Sequence, residues 1–369
     1  MLRTLRNLIV NIIAAFIPDR YDRHKFRNKY KRKSKFRKLR DDNKLLFRDI
    51  KNLHNDILIL KKEFIGLKQK YNEDLTNYER EKSFTFRVAP IDNIPPHGPE
   101  TKVFLAITCV AKNEGPYLKE WIEYHKLVGV ERFYFYDNES DDNTKEVLEP
   151  YINNGTVVYH LLPNHPITKQ VPQVEAYNDA IFKYRSITTW MAMIDIDEFI
   201  VPVEKSSIPE FLIDYEQYPG VVVNWVCFDS NGHDKAPISH GGMVIANYTR
   251  VRKNHNERTV KSIVNPKQVV KYISPHHGVY YFNFRAVTEN LHATIGQNSE
   301  FESINKIRIN HYRTKSKEEY ISKINRNRFG NQNIYKFNEG LLNFTGETEH
   351  DLVIQKYVPK LKIILGIKD

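Results

Sequence analysis

The feature that most constrains the fold is an alternation of apolar runs and amphipathic segments between residues 103 and 198. The run 103–110 is continuously apolar, which is typical of a strand covered on both faces. Three amphipathic segments alternate with further apolar runs, so the pattern predicts an α/β fold with a mainly parallel sheet flanked by helices. The predicted helices are 117–128, 144–151 and 173–184, and the later strands are 132–136, 156–162 and 190–194.

The last of these strands runs directly into three acids, Asp195, Asp197 and Glu198. In a strict strand Asp195 and Asp197 point to one face and Ile196 points into the core. Mg²⁺ and Mn²⁺ prefer oxygen ligands such as paired carboxylates, so the pattern predicts a divalent-metal site. Asp-x-Asp is also common among ordinary solvated acids at strand ends, and that alternative stays open.

Polar clusters follow three of the predicted strands. They are Asn113 with Glu114, residues 137–142, and residues 195–198. In parallel α/β sheets, ligands bind outside the carboxyl ends of the strands, so the three clusters are expected to share one site. The sequence contains neither a P-loop nor the glycine fingerprint of a dinucleotide-binding fold, which disfavours ordinary ATPases and dehydrogenases.

The positive charge of the chain is concentrated in residues 1–40. The net charge is +11, and this segment holds 14 Lys and Arg against two acids. Apolar residues recur at helical spacing near its start, but the run 8–17 is too short to cross a membrane. No signal-peptide cleavage pattern follows it. We expect an amphipathic and polybasic arm on an anionic membrane, at its cytoplasmic face; nucleic-acid binding is the less favoured alternative.

Residues 41–82 carry a heptad pattern of Leu, Ile, Phe and Tyr, which predicts a coiled-coil helix and a homodimer. A single amphipathic helix is the alternative. Residues 83–100 contain four prolines and are expected to form a linker, which leaves 101–369 as the globular domain with a C-terminal extension. The two cysteines, Cys109 and Cys227, lie in apolar runs and are expected to be buried and reduced.

An ordered set of motifs across about residues 101–330 resembles glycosyltransferase family 92, a relative of the large family 2. The motifs are Val110-Ala-Lys-Asn-Glu114, the block 117–125, Tyr136-Asp-Asn-Glu-Ser-Asp-Asp142, Gln173 with the block 176–179, Ile194-Asp-Ile-Asp-Glu-Phe199, Lys261-Ser-Ile-Val-Asn-Pro266, His276 and the block 309–320. The resemblance implies a GT-A nucleotide-sugar fold.

The resemblance also implies roles for individual residues. Asp195 and Asp197 would hold Mn²⁺ or Mg²⁺ on the diphosphate of a nucleotide sugar, and His311, or failing that His276, would be a third ligand. The other expected donor-site residues are Asp137 near the nucleoside, and Asn113 and Glu114 lining the pocket. Lys261, Arg313 and Lys315 would contact phosphate or, alternatively, be solvated.

An inverting transfer needs a carboxylate that deprotonates the acceptor hydroxyl. Asp229 is the first candidate because it follows an apolar run and opens the loop 230–234; Asp234 and Glu198 are the others. A turn-capping role for Asp229 is equally compatible with the sequence.

The residues and the resemblance together predict a metal-dependent glycosyltransferase held peripherally at the membrane, and the resemblance alone implies that it is inverting. Its acceptor would be a glycan or glycolipid in the synthesis of capsule or lipopolysaccharide. Two alternatives stay open: a nucleotidyl- or phosphotransferase that uses the same acids, and a non-catalytic membrane or nucleic-acid scaffold that acts through residues 1–82.

Overall fold

The computed structural model describes residues 102–163, 171–281, 284–325 and 337–367. The predicted arm, coiled coil and linker of residues 1–100 lie outside these ranges. They stay predictions, as do the membrane contact and the homodimer that depend on them. Within the described ranges, no helix combines the length and the apolar character that a membrane crossing requires.

The first half of the described chain alternates strands and helices as predicted. Its elements are β1 (Val103–Ala111), α1 (Gly115–Leu127), β2 (Arg132–Asp137), α2 (Thr144–Asn153), β3 (Val157–Leu161), α3 (Pro172–Tyr184) and β4 (Thr188–Met193). Helices α1 and α3 both carry proline in the first turn, where the missing amide hydrogen costs nothing. All seven predicted elements are present, and their ends shift by at most two residues.

The second half contains shorter elements. They are β5 (Glu198–Pro202), α4 (Ile208–Leu212), β6 (Gly220–Cys227), α5 (Val244–Asn247), β7 (Arg250–Arg252), β8 (Val260–Val264), β9 (Val269–Tyr272), β10 (Gly278–Tyr280), β11 (Ile307–His311), α6 (Lys317–Asn325), α7 (Glu339–Leu342), β12 (Thr348–His350) and α8 (Val358–Leu365). Strands β9 and β10 form one small hairpin sheet, and β7 pairs with β12 in another.

One eight-stranded sheet organises the molecule, in the order β3-β2-β1-β4-β8-β6-β11-β5. The four strands β3, β2, β1 and β4 are parallel, which the intervening helices require. Strand β8 is antiparallel to both of its neighbours, and β5 is antiparallel to β11. The expected α/β class is confirmed, with a mixed second half where the sequence pattern indicated a mainly parallel sheet.

The acidic motif links the middle of this sheet to its edge. Strand β4 ends at Met193 and β5 begins at Glu198, although three strands lie between them in the sheet order. Five residue steps span at most about 18 Å, whereas four strand spacings in a flat sheet amount to about 19 Å. The sheet is therefore curled, so that its two halves approach each other at residues 194–197.

The sheet is covered on both faces, as its continuous apolar strands require. Leu105, Ile107 and Cys109 of β1 belong to the core layer that contains α1, whereas Ala106 belongs to the layer that contains α3. Both cysteines are free; Cys109 is buried as expected, but Cys227 is partly exposed at the end of β6.

Candidate active site

The acids of the central motif lie in a turn between β4 and β5. The Glu198 amide donates to the carbonyl oxygen of Asp195 at 3.1 Å, which closes the turn. The strict-strand geometry predicted for Asp195 and Asp197 is therefore wrong at this point, because the chain bends towards β5. The orientation of Ile196 is as predicted: it is 4% exposed and belongs to the core.

Each aspartate of the motif faces a lysine. Oδ2 of Asp195 lies 3.0 Å from Nζ of Lys261, and its Oδ1 accepts from Nε2 of Gln173 at 2.6 Å. Asp197 accepts a hydrogen bond through Oδ2 from Nζ of Lys323, on helix α6. The two carboxylates that the sequence assigned to a metal are thus neutralised by two ammonium groups.

These lysines keep both aspartates ionised. Burial acts to raise the pKa of Asp195, but the charge of Lys261 and hydrogen bonds from Lys261 and Gln173 lower the pKa below its usual value. Burial also opposes ionisation of Asp197, yet Lys323 and His311 hold the pKa of that carboxyl well below its usual range. The motif therefore presents two negative charges at neutral pH.

Glu198 has a different environment from the two aspartates. It is fully buried, and its Oε2 accepts the amide hydrogen of Asp195 at 2.9 Å. Burial raises its pKa well above the usual value, and Lys261, with Nζ 3.7 Å away, offsets only part of this. The buried carboxyl of Glu198 holds the turn through the Asp195 amide, and this enclosed position does not favour its predicted role as a catalytic base.

His311 is brought to the motif by the pairing of β11 with β5, in which it lies opposite Glu198. The amide of Tyr312 donates to the carbonyl oxygen of Asp197 at 2.8 Å, and Nε2 of His311 lies 3.7 Å from Oδ1 of Asp197. Burial lowers the pKa of His311, so the ring is neutral at pH 7. Its Nδ1 is buried without a hydrogen-bond partner.

The donor set suits a divalent cation, since two carboxylates and a neutral imidazole are its ordinary protein ligands. In the ranges that the structure describes, no three His, Cys, Asp or Glu side chains already converge on one metal position. The reason is local: Lys261 and Gln173 engage Asp195, while Lys323 engages Asp197. The residue types therefore fit a divalent metal, but in this structure the two aspartates contact Lys261 and Lys323.

The clusters after β1 and β2 are locked to one another. Asn113, at a φ of 57°, donates from Nδ2 to Asp141 at 2.5 Å, and its amide donates to Oγ of Ser140. Asp137 is buried and accepts from the Ser140 amide at 2.8 Å and from the Tyr159 hydroxyl at 2.5 Å. The expectation that these strand ends meet is confirmed for the first two clusters.

Lys315 connects the first cluster to the acidic motif. It is 6% exposed, with Nζ 3.9 Å from Oε2 of Glu114 and 3.7 Å from the ring centroid of Tyr117. Its charge also lowers the pKa of Asp197, so the three strand ends share one electrostatic environment.

His276, the second choice for a metal ligand, has its Nδ1 3.0 Å from the carbonyl oxygen of Val260.

Asp229 lies directly after β6, where its carboxylate is buried and binds parts of three neighbouring segments. Nε of Arg250 lies 2.9 Å from both of its carboxylate oxygens, and Nη2 lies 2.8 Å from Oδ2. The amides of Asn231 and Phe344 also donate to it. The role of Asp229 as the catalytic base stays a prediction, and this geometry favours the alternative of a turn anchor.

Sequence comparison adds an independent observation about the same region. The sequence model of glycosyltransferase family 92 matches residues 107–345, which is more than half of the chain and includes every site residue described above. The chain belongs to glycosyltransferase family 92. The resemblance carried by the motif blocks is therefore confirmed.

Individual relatives match only in part. A family 92 protein of Ricinus communis is 34% identical over 97 residues, which cover 26% of this chain and 16% of that protein. A galactan beta-1,4-galactosyltransferase of Arabidopsis thaliana is 28% identical over 169 residues, which cover 41% of this chain and 31% of that protein. The chain thus spans less than a third of the length of these relatives.

Solved structures are more distant from this family 92 chain. TarS of S. aureus, residues 1–349, aligns with 60% of this chain and 63% of its own at 13% identity and a TM-score of 0.32. A mannosyltransferase of Pyrobaculum calidifontis, solved with GDP-Man and Mn²⁺, aligns over 45% and 46% at 16% identity and a TM-score of 0.24. Neither likeness is close enough to carry an argument about this site.

Two residues at the motif were missed by sequence reasoning about site roles. Gln173 belongs to one of the family 92 motifs, and this membership could have indicated its contact with Asp195. Lys323 has no such signal, because it lies 126 residues from Asp197 in a segment of ordinary helical composition. Only the fold brings it to the acids.

Proposed function

We propose that this family 92 chain is a metal-dependent glycosyltransferase that moves a sugar from a nucleotide-sugar donor to a hydroxyl acceptor. The observation that carries the proposal is the position of Asp195 and Asp197 in the turn after β4, with Nε2 of His311 3.7 Å from Oδ1 of Asp197. Carboxylate oxygens and an imidazole nitrogen are suited to Mn²⁺ or Mg²⁺.

Asp195, Asp197 and His311 would hold the cation. When bound, a divalent cation neutralises the charge that develops on the leaving nucleoside diphosphate. Lys261 was expected to contact the donor phosphate, but its side chain is 1% exposed and its ammonium group contacts Asp195 and Glu198. We propose that Lys261 keeps Asp195 ionised and orients it.

The donor pocket would be walled by the joined clusters after β1 and β2. The side chains of Asn113 and Asp137 are engaged within this wall, so they would fix its shape for the nucleoside. Glu114 would act through its contact with Lys315. Because one relative is a galactan beta-1,4-galactosyltransferase, UDP-galactose is the first donor to test.

The inverting outcome and the base are proposals that the resemblance supports. Of the three carboxylates considered, Asp229 and Glu198 are buried, and Asp234 is exposed on the loop after β6. A base must reach the acceptor hydroxyl, so Asp234 can do this with the least rearrangement.

The place of action rests on residues 1–40, which lie outside the described ranges. A polybasic amphipathic arm would bind anionic lipid from the cytoplasmic side. This would place the site near lipid-linked or surface-polysaccharide acceptors, such as those of capsule or lipopolysaccharide synthesis.

The test is calorimetric titration of the full chain with UDP-, GDP-, CMP- and dTDP-sugars in Mn²⁺, repeated in EDTA. We expect one donor class to bind only with Mn²⁺, and Asp195→Asn and Asp197→Asn to lose that binding. Asp214→Asn is the matched control, because Asp214 is an exposed aspartate on another segment. Failure of a folded wild-type chain to bind any of the donors would overturn the proposal.

Product analysis separates the alternatives. A glycosyltransferase that uses UDP- or GDP-sugars releases the nucleoside diphosphate, whereas a nucleotidyltransferase releases pyrophosphate. A scaffold that acts through residues 1–82 would keep its function in Asp197→Asn.

A further inference from the structure

Lys323 is the positive partner of Asp197, one of the two carboxylates proposed to hold the metal. Its Nζ donates to Oδ2 of Asp197 and to the carbonyl oxygen of Arg313, the latter at 2.9 Å. The residue lies near the end of α6, and its side chain is 19% exposed. The contact joins a helix of the second half of the chain to the motif that follows β4.

The charges around the motif are already balanced. Lys261 compensates Asp195, and Lys323 compensates Asp197. A divalent cation that entered this arrangement alone would gain little, because each carboxylate already has a positive partner and like charges would be brought together. One lysine therefore has to leave its carboxylate when the cation arrives.

The surroundings of the two lysines indicate which one leaves. Lys261 lies within strand β8, is 1% exposed, and contacts both Asp195 and Glu198. Lys323 is more exposed and lies on the last turn of a helix, where side-chain movement is less costly. Lys323 can therefore leave its carboxylate at a lower cost, because its own ammonium group is not fully buried.

A nucleoside diphosphate supplies the new partner for the released ammonium group. The metal would carry phosphate oxygens to the position that Lys323 borders, and lysine binds phosphate as a mobile point charge with three donors. Resting on the proposed function, we infer that Lys323 exchanges its ion pair with Asp197 for one with the donor diphosphate. Lys323 thereby weakens the binding of the metal alone and strengthens the binding of the metal together with a nucleotide.

The experiment measures two affinities in the full chain. Binding of Mn²⁺ alone is followed by electron paramagnetic resonance, and binding of UDP and of GDP at saturating Mn²⁺ by calorimetry. In Lys323→Gln we expect Mn²⁺ alone to bind about tenfold more tightly, and the diphosphate that the wild type binds to bind about tenfold more weakly. A residue that only supports the fold would weaken both.

Two further variants define the comparison. Lys323→Arg keeps the charge, so its Mn²⁺ affinity should stay near that of the wild type. Lys317→Gln removes an exposed lysine from the same helix and should change neither affinity. Circular dichroism establishes folding, and if Lys323→Gln does not fold, Lys323→Met is measured in its place.

The outcomes separate this inference from the proposed function. A wild-type chain that binds neither Mn²⁺ nor a nucleoside diphosphate overturns both. If the wild-type chain binds both ligands, the role of Lys323 alone is overturned by either of two results. In one, Lys323→Gln changes both affinities in the same direction, and in the other it leaves the Mn²⁺ affinity unchanged.

Discussion

Lys261 approaches Asp195 to 3.0 Å from within the sheet, and only 1% of its side chain is exposed. Its ammonium group is 3.7 Å from Glu198 as well. A buried ammonium group is stable only with its partners, and its removal would leave the half-buried carboxylate of Asp195 without its positive partner.

We therefore expect Lys261→Met to lower the free energy of unfolding by about 3 kcal/mol, as measured by urea denaturation. Lys253→Met is the matched control, because Lys253 forms an ion pair with Glu347 at the surface. That variant should cost less than about 1 kcal/mol. Equal losses in the two variants would show that the Lys261 pair contributes no more than a surface pair.

His311→Ala is expected to lower Mn²⁺ affinity by at least about tenfold, since even residues that merely support metal ligands have effects of this size. The physical reason is the position of Nε2, 3.7 Å from Asp197, on a ring that burial keeps neutral. Electron paramagnetic resonance of bound Mn²⁺ measures the change.

His276→Ala tests the competing assignment of the third ligand. Its Nδ1 lies 3.0 Å from a backbone carbonyl oxygen, so we expect Mn²⁺ affinity within about twofold of the wild type. A larger loss in His276→Ala than in His311→Ala would reverse the assignment.

Asp229→Asn and Arg250→Gln should each lower the free energy of unfolding by about 3 kcal/mol, because either change breaks a bidentate ion pair whose carboxylate is fully buried. The double variant should lose less than the sum of the two, as chemical denaturation of all four proteins will reveal. If Asp229 is instead the catalytic base, Asp229→Asn will keep its stability and lose turnover while donor binding persists.

Glu120 predicts a pH dependence of stability. Its buried carboxylate accepts the amides of Val244 at 2.7 Å and Ile245 at 3.0 Å, and burial raises its pKa from 4.5 to about 7. A raised pKa in an acid means that the folded state binds the proton more tightly than the unfolded state. The resulting stabilisation is complete below pH 4.5 and is lost as the pH rises through about 7.

Urea denaturation of the wild type and Glu120→Gln between pH 4.5 and 8 measures this effect. The stability of the wild type relative to the variant should fall by about 3 kcal/mol across the range, because only the wild type titrates at this position. A difference that is constant with pH would contradict the assignment.

The first half of the fold was within reach of the sequence because its signals are local. Strand β1 is a continuous apolar run, and proline marks the first turns of α1 and α3. The antiparallel position of β8 could not be predicted in this way. Its pairing with β4 joins segments that are far apart in the chain, and no local pattern indicates this pairing. The mixed half of the sheet is a product of tertiary packing.

The same distinction applies to the site. Asp195, Asp197 and His311 stand in motifs, and the fold places His311 beside Asp197. The partners that set their charge, Lys261 and Lys323, come from β8 and α6, and only the curled sheet makes them neighbours. For Asp229, two roles fitted the local sequence equally, and the contact with Arg250 is what favours one of them.

The link of residues 194–197 between the centre and the edge of the sheet has a mechanical consequence. The segment is folded into a turn, so the two halves of the sheet cannot move apart without opening the turn that carries both aspartates. A ligand that bridges Asp195, Asp197 and His311 would clamp the halves together. Donor binding should therefore raise the melting temperature of the protein, and an insertion within residues 194–197 should reduce that increase.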